Sequence, residues 1–255
     1  MQLILLLFLR YYLWCKNLVL NLSIFFFMIL INLIKFLQHL LNWSEVWAIL
    51  IPLLILLVLK KQQPKYLLPV ILYLWIAFFL NLLADSIADF KKYFPDFLQS
   101  NNPLYNIHSI IRFTCFSYYF IIVDRTSTVI FKKIVLITMV IFVLINFIFF
   151  EHFFNFFMLS GSLLTVEAFL LLIYCLNYYL TQLNIEVENI ATGKNFWTVT
   201  GLGIYVVVNF FLFLFYVPMI KENPKLASQM WNVHNVAYII FCTLIAKSFY
   251  APFSN

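Results

Sequence analysis

The chain has 255 residues, 65% of them hydrophobic and 10% charged, and a mean hydropathy of +0.98. That composition fits no water-soluble class, so the bilayer is the solvent for most of the chain. The net charge of +6 does not point to nucleic acid, because the basic residues stand in short clusters between apolar runs, as in Lys60-Lys61 and Lys132-Lys133. Such clusters set membrane topology. With only 4 glycines and no G-x-x-x-x-G-K or G-x-G-x-x-G, nucleotide-binding loops are absent. Cys15, Cys115, Cys175 and Cys242 are too widely spaced for a metal knuckle or a disulfide framework, and no cofactor is implied.

A helix needs about 20 apolar residues to span the hydrocarbon core. Runs of that kind lie near 18–34, 44–59, 66–84, 104–123, 134–150, 159–180, 196–217 and 231–250. They are separated by punctuation such as KKQQPK at 60–65, FPDFLQSNNP at 94–103 and KENPK at 221–225. The predicted fold is an all-α integral membrane protein: a seven-transmembrane-helix bundle over 43–255 and one additional N-terminal hydrophobic helix within 1–42. That first segment lacks the small residues of a signal-peptide cleavage site, so an uncleaved helix is expected. The alternative is translation from Met28, which would leave 29–41 as a short interfacial helix.

If the N-terminus is inside and all eight runs cross, ten lysines and arginines fall on the inner side and five on the outer, with Arg112 within a helix. The positive-inside rule then puts the C-terminus in the cytoplasm. No loop is long enough for a folded extramembrane domain.

Ionisable residues in the bilayer core cost roughly 2.5–3.5 kcal/mol each on insertion scales, and so face the bundle interior and seek partners. In chain order, Asn81, Asp85 and Asp89 share one helical face. Tyr105, His108, Arg112, Cys115 and Tyr119 form a second stripe at spacings of three and four. Arg112 and Glu167 each lie about 12 Å below the outer boundary at 1.5 Å per residue, which predicts an ion pair. Trp197, Gly201, Tyr205 and Asn209 recur every four residues, and the last helix offers His234, Asn235, Tyr238 and Cys242. Trp43, Trp197 and Trp231 stand at run ends, as interface anchors do.

The convergence of Asp85, His108, Arg112, Glu167, Tyr205, Asn209, His234, Asn235 and Tyr238 predicts an outward-facing, water-accessible polar cavity. The alternative for each is helix-to-helix hydrogen bonding and nothing more.

Several chemistries can be weighed against this set. Lys247 is at the wrong depth for a retinal lysine. A zinc hydrolase of the ceramidase type would have to draw its ligands from His108, His234 and Asp85, since no two histidines are one turn apart. A transporter would show inverted repeats or mid-membrane helix breaks, and the glycines and prolines lie near helix starts instead. The reading that remains is a non-enzymatic sensory or accessory module. It would bind a small or amphiphilic ligand, with Arg112 as the anion contact, or a partner helix. Its partners are the lipid bilayer and a separate signalling or membrane protein, not nucleic acid. A membrane-embedded lipid hydrolase and a small transporter are the alternatives.

The stretches WSEVWAILIPLLILLVLKK, LNLLAD, NPLYNIHSIIRF, LTVEAFLLLIYCLNYYL, NFWTVTGLGIYVVVNFFLFLFY and WNVHNVAYIIF resemble a family of seven-helix bacterial membrane proteins of uncharacterised function. The resemblance covers 43–250 and leaves out 1–42. It implies seven helices, an outward start to the first of them, and residence in the bacterial cytoplasmic membrane. Related architectures serve as sensor modules joined to histidine kinases. This chain departs in having no output domain and in placing Arg112 where an acidic or apolar residue is more usual.

Overall fold

In the computed structural model the described residues are 25–59, 62–95, 100–123, 129–150, 159–183 and 193–251. Among them the secondary structure is helical and no strand occurs, as backbone that must satisfy itself away from water requires. The chain divides into two units, Met1–Asn42 and Trp43–Asn255.

In the first unit, α1 runs over Phe25–Asn42 and is long and apolar enough to cross a membrane. The run expected at 18–34 coincides with α1 over 25–34 and α1 continues to Asn42, while residues 18–24 lie outside the described set. Lys35, expected in a connecting loop, is inside α1. No Gly or Pro interrupts 25–42, and a lysine stem can carry its charge towards the interface.

The second unit contains α2 (Ser44–Leu59), α3 (Leu68–Asp89), α4 (Asn102–Val123), α5 (Val129–Ile145, continued by a π-helical turn Asn146–Phe150), α6 (Gly161–Leu183), α7 (Lys194–Glu222) and α8 (Pro224–Tyr250). The helices α3, α5, α6, α7 and α8 lie in segments with the length and apolarity of membrane spans, and α2 is a shorter apolar helix. With α1, six helices meet that description, so the chain is a multi-pass membrane protein. The 22-residue α4 is long enough to span at about 33 Å, but it carries the polar stripe of Tyr105, His108 and Arg112.

Neighbouring helices pack in the order α2, α3, α4, α6, α7, α8 and back to α2, a closed ring, with α5 lying against α4 and α6. The residues that face inward in this ring are large and aromatic. Tyr73, Phe116, Tyr205, Tyr238 and Phe241 are buried. Their rings meet edge-on or tilted, at centroid separations from 5.2 Å for Tyr73 and Phe116 to 6.2 Å for Tyr73 and Phe241, the arrangement the ring quadrupole favours.

Helices run past the apolar segments read from sequence. α8 starts at Pro224 rather than near 231, because Asn223 caps it, its side chain accepting from the Leu226 N–H at 3.1 Å, with proline at the first helical position. α3 similarly extends to Asp89.

One end of the bundle carries Glu45, Asp85 and Asp89, and the other is fastened by lysines. Lys194 Nζ donates to the Ser248 and Phe249 carbonyls at 3.1 and 2.7 Å, in the last turn of α8. Lys132 Nζ donates to the Phe120 carbonyl at 2.9 Å, in the last turn of α4. Both ammonium groups satisfy carbonyls that lack intrahelical donors and sit at the negative end of a helix dipole. Lys247 lies 3.4 Å above the Trp197 ring centroid. That tryptophan is thus engaged in a cation–π contact as well as standing at a run end.

α7 and α8 approach closely at Gly201. A Cβ there would lie 3.0 Å from Leu244 Cβ and 3.3 Å from the Phe241 carbonyl oxygen. Small residues let membrane helices approach in this way. Gly201→Leu is expected to force α7 from α8 and to destabilise by about 1–3 kcal/mol, read as a lower thermal unfolding midpoint in detergent. Gly203→Ala is the matched control, since its Cβ would meet only Cys175, at 3.8 Å.

Candidate functional site

The polar residues of the ring interior are joined into one network that links five helices. Arg112 of α4 makes a two-pronged pair with Glu167 of α6, Nε to Oε1 at 2.5 Å and Nη2 to Oε2 at 2.7 Å. Its Nη1 donates to the Tyr205 hydroxyl of α7 at 2.7 Å. Ser109, one turn earlier on α4, donates to Glu167 Oε2. The ion pair expected from matched depth is present, and both side chains are buried, 6% and 1% exposed. The fork geometry of guanidinium on carboxylate is why arginine rather than lysine suits this place.

The network continues along α7 through Asn209, whose Nδ2 donates to the Tyr205 carbonyl at 2.7 Å. Asn209 Oδ1 meets His234 Nδ1 of α8. His234 Nε2 lies 2.9 Å from Glu45 Oε1 of α2, and the other carboxylate oxygen of Glu45 accepts from the Tyr105 hydroxyl at 2.9 Å. From Tyr105 to Arg112 the network descends about 10 Å along α4. The imidazole is walled by aromatic rings: Trp231 is 4.9 Å away between centroids, Phe213 5.4 Å and Tyr205 5.7 Å. Trp231, expected as an interface anchor, belongs to this wall and also packs on Tyr105 at 5.3 Å.

A branch leaves at Glu45. Asn81 of α3 donates to the Glu45 backbone carbonyl and to the Tyr238 hydroxyl, both at 3.1 Å. One face of α3 thus presents Asn81, Asp85 and Asp89 to the start of α2, where Trp43 Nε1 donates to Asp89 Oδ2 at 2.9 Å. Trp43, too, is hydrogen-bonded and not only an anchor.

Of the nine residues singled out from sequence, Arg112, Glu167, Tyr205, Asn209 and His234 lie in the main network and Tyr238 in its branch. Asn235 is fully buried on α8. His108 departs: its ring stacks on Tyr73 at 5.6 Å, and Nε2 meets the Tyr73 hydroxyl at 3.1 Å. It therefore faces the aromatic interior rather than His234. Asp85 is 92% buried, at 8% exposure, and its Oδ2 has no hydrogen-bond partner.

The convergence of His108, His234 and Asp85 that a zinc hydrolase requires is not found. Among the described residues no three His, Cys, Asp or Glu side chains are grouped to hold a metal ion. His39 is in α1, and His152 lies outside the described residues. The nine polar residues are at most 8% exposed, and six of them hydrogen-bond within the network or its branch. All three guanidinium nitrogens of Arg112 already have partners, so its charge is balanced from within the chain.

The residue that sequence reading missed is Glu45. At the second position of α2 it reads as an interfacial carboxylate favoured by the helix N-terminus. In the fold it joins four helices. The one signal available was its place in SEVWAILIP, an acid directly abutting an apolar run.

A second polar junction ties α4, α5 and α6. Ser160 Oγ accepts from the Leu163 N–H at 3.2 Å, capping α6. The Ser160 N–H donates to Asn106 Oδ1 at 3.1 Å, and Ser162 Oγ donates to Asn146 Oδ1 at 3.2 Å. Asn146 opens the π-helical turn, a feature that recurs where a helix departs from regularity for a local purpose. No protein-family model matches the chain, and neither does any curated protein or solved structure.

Proposed function

We propose that the chain is a seven-transmembrane-helix, non-enzymatic sensory or accessory module of the bacterial cytoplasmic membrane. In this reading α2 to α8 all cross, the C-terminus is cytoplasmic, and the Glu45 end of the ring faces outward. A small or amphiphilic ligand, or a partner helix, engages that end. The supporting observation is the continuous hydrogen-bonded path from Glu45 through His234, Asn209 and Tyr205 to the Arg112–Glu167 pair. Intramembrane ionisable residues are expensive to keep and tend to mark functional paths. A path that spans five helices lets an event at the Glu45 end bias the packing of α4, α6 and α7 at mid-depth, the kind of two-state element that switching needs. The abundance of lysine at the opposite end leans the same way, as does the resemblance to uncharacterised seven-helix bacterial membrane proteins, whose related architectures serve as sensor modules.

Two measurements test the reading. A reporter fused after Asn255 should be active only in its cytoplasmic form. Native mass spectrometry of the full chain released from membranes should show a bound small molecule or second polypeptide, and His234→Ala should lose it while still folding. Equal adducts on both proteins, or none on either, would sink the ligand-receiving role.

A further inference from the structure

Between α2 and α3 two polar atoms are left over. Asp85 Oδ2 and Ser44 Oγ are both buried, the residues being 8% and 0% exposed, and neither makes a hydrogen bond within the chain. The contacts on either side of them are made. One turn below Asp85, Asn81 donates to the Glu45 carbonyl. One turn above, Asp89 accepts from Trp43. Since 81, 85 and 89 share a face of α3, these two contacts bracket Asp85 and set it opposite Ser44, the residue between Trp43 and Glu45. The register thus brings two unpartnered buried oxygens to neighbouring positions at one end of the bundle.

The surrounding charge is one-sided. Asp85 lies within electrostatic reach of Glu45 and Asp89. The nearest basic groups of the network are engaged elsewhere, Arg112 with Glu167 and the His234 imidazole with Glu45. A buried carboxylate without a counter-charge is strongly disfavoured and takes up either a proton or a cation, and an unpartnered hydroxyl close by gives a cation a second oxygen.

We propose that the gap between Asp85 Oδ2 and Ser44 Oγ is a site for one monovalent cation, an alkali ion or the ammonium head of a small organic amine. Its single positive charge balances Asp85, and Ser44 supplies a second oxygen with its proton turned away. A divalent ion fits poorly. Glu45 has spent both carboxylate oxygens on His234 and Tyr105, and Asp89 has one on Trp43, which leaves too few anionic oxygens for calcium or magnesium. The inference rests on the reading of this end as the ligand-receiving one and gives the charge of what is received. It also replaces Arg112 as the residue that selects the ligand.

The test uses the full chain in detergent at constant ionic strength, with N-methylglucamine chloride replaced stepwise by sodium, potassium or methylammonium chloride. The thermal unfolding midpoint and tryptophan emission are read at each step. The expected result is a saturable rise in midpoint with at least one of these salts, absent in both Asp85→Asn and Ser44→Ala. The salt that gives the rise separates an inorganic ion from an amine. Asp85→Asn should have a midpoint at or above the cation-free midpoint of the unmutated chain and indifferent to the salt, because the amide has no charge to balance; should it not fold, Ser44→Ala carries the comparison. The proposal is overturned by a midpoint indifferent to all three salts, or by a rise that survives both substitutions. An infrared band of protonated carboxylic acid that persists at saturating salt and vanishes in Asp85→Asn would overturn it too. None of these failures touches the His234-dependent adduct, so the two readings fail separately.

Discussion

Glu167→Leu is expected to destabilise the bundle by about 3–5 kcal/mol, the usual range for removing one partner of a buried ion pair. The substitution removes the acceptor of both Arg112 prongs and of the Ser109 hydroxyl. The guanidinium cannot reach water by extending, because its remaining nitrogen is held by Tyr205 and its surroundings are the packed rings of the interior. The double variant Arg112→Leu/Glu167→Leu should recover most of the loss, since two apolar side chains carry no desolvation penalty. Unfolding in mixed micelles of increasing denaturing-detergent fraction measures all three proteins. A double variant as unstable as the single one would mean that packing volume around Glu167, not charge balance, sets the effect. The comparison also bears on function. If the double variant is stable yet loses the co-purified molecule, the pair is kept for what it transmits.

Glu45→Ala should be the second large loss. It strands His234 Nε2 and the Tyr105 hydroxyl, and each buried group left unsatisfied costs about 1–3 kcal/mol. Glu45→Gln should fall between, because the amide oxygen still accepts from Tyr105 while the charge opposite His234 is gone. Trp231 packs against both the imidazole and the Tyr105 ring, so its emission reports the same event independently of the unfolding curve. Trp43→Phe, which removes the exposed bond to Asp89, should change stability by less than about 0.5 kcal/mol. A loss in Glu45→Ala no larger than in Trp43→Phe would show that Glu45 is solvated and that the network ends at His234.

The helices were legible because the bilayer imposes a length and polarity rule on sequence. α2 falls at the expected 44–59, and α4 and α6 lie within a few residues of the expected bounds. The errors lie where something other than hydropathy decides. Asn223 and Pro224 start α8 in a polar stretch that an apolar scan excludes, and α3 and α7 continue beyond their greasy cores for the same reason. In the site, the Arg112–Glu167 pair followed from depth alone, since two costly residues at one level have few other options. Glu45 did not, because its role depends on His234, 189 residues away, and nothing local to SEVW carries that information. His108 was legible as buried and polar, but its bond to Tyr73 was not, because a helical stripe gives the face of a residue and not which neighbour that face meets.

Ring closure between α8 and α2 has a consequence for biogenesis. The acid that anchors the network leaves the ribosome with the first helix of the ring, and its imidazole partner arrives only with the last. Until α8 is inserted, Glu45 has to remain at the water boundary, which its position at the very start of α2 permits. A ring of this kind completes itself in one late step, when the final helix seals a seam that every earlier intermediate leaves ajar. Polypeptides arrested before α8 would present a carboxylate without its imidazole partner to the proteases that patrol the membrane. The same hydrogen bond that holds the finished protein together thereby serves as its mark of completeness.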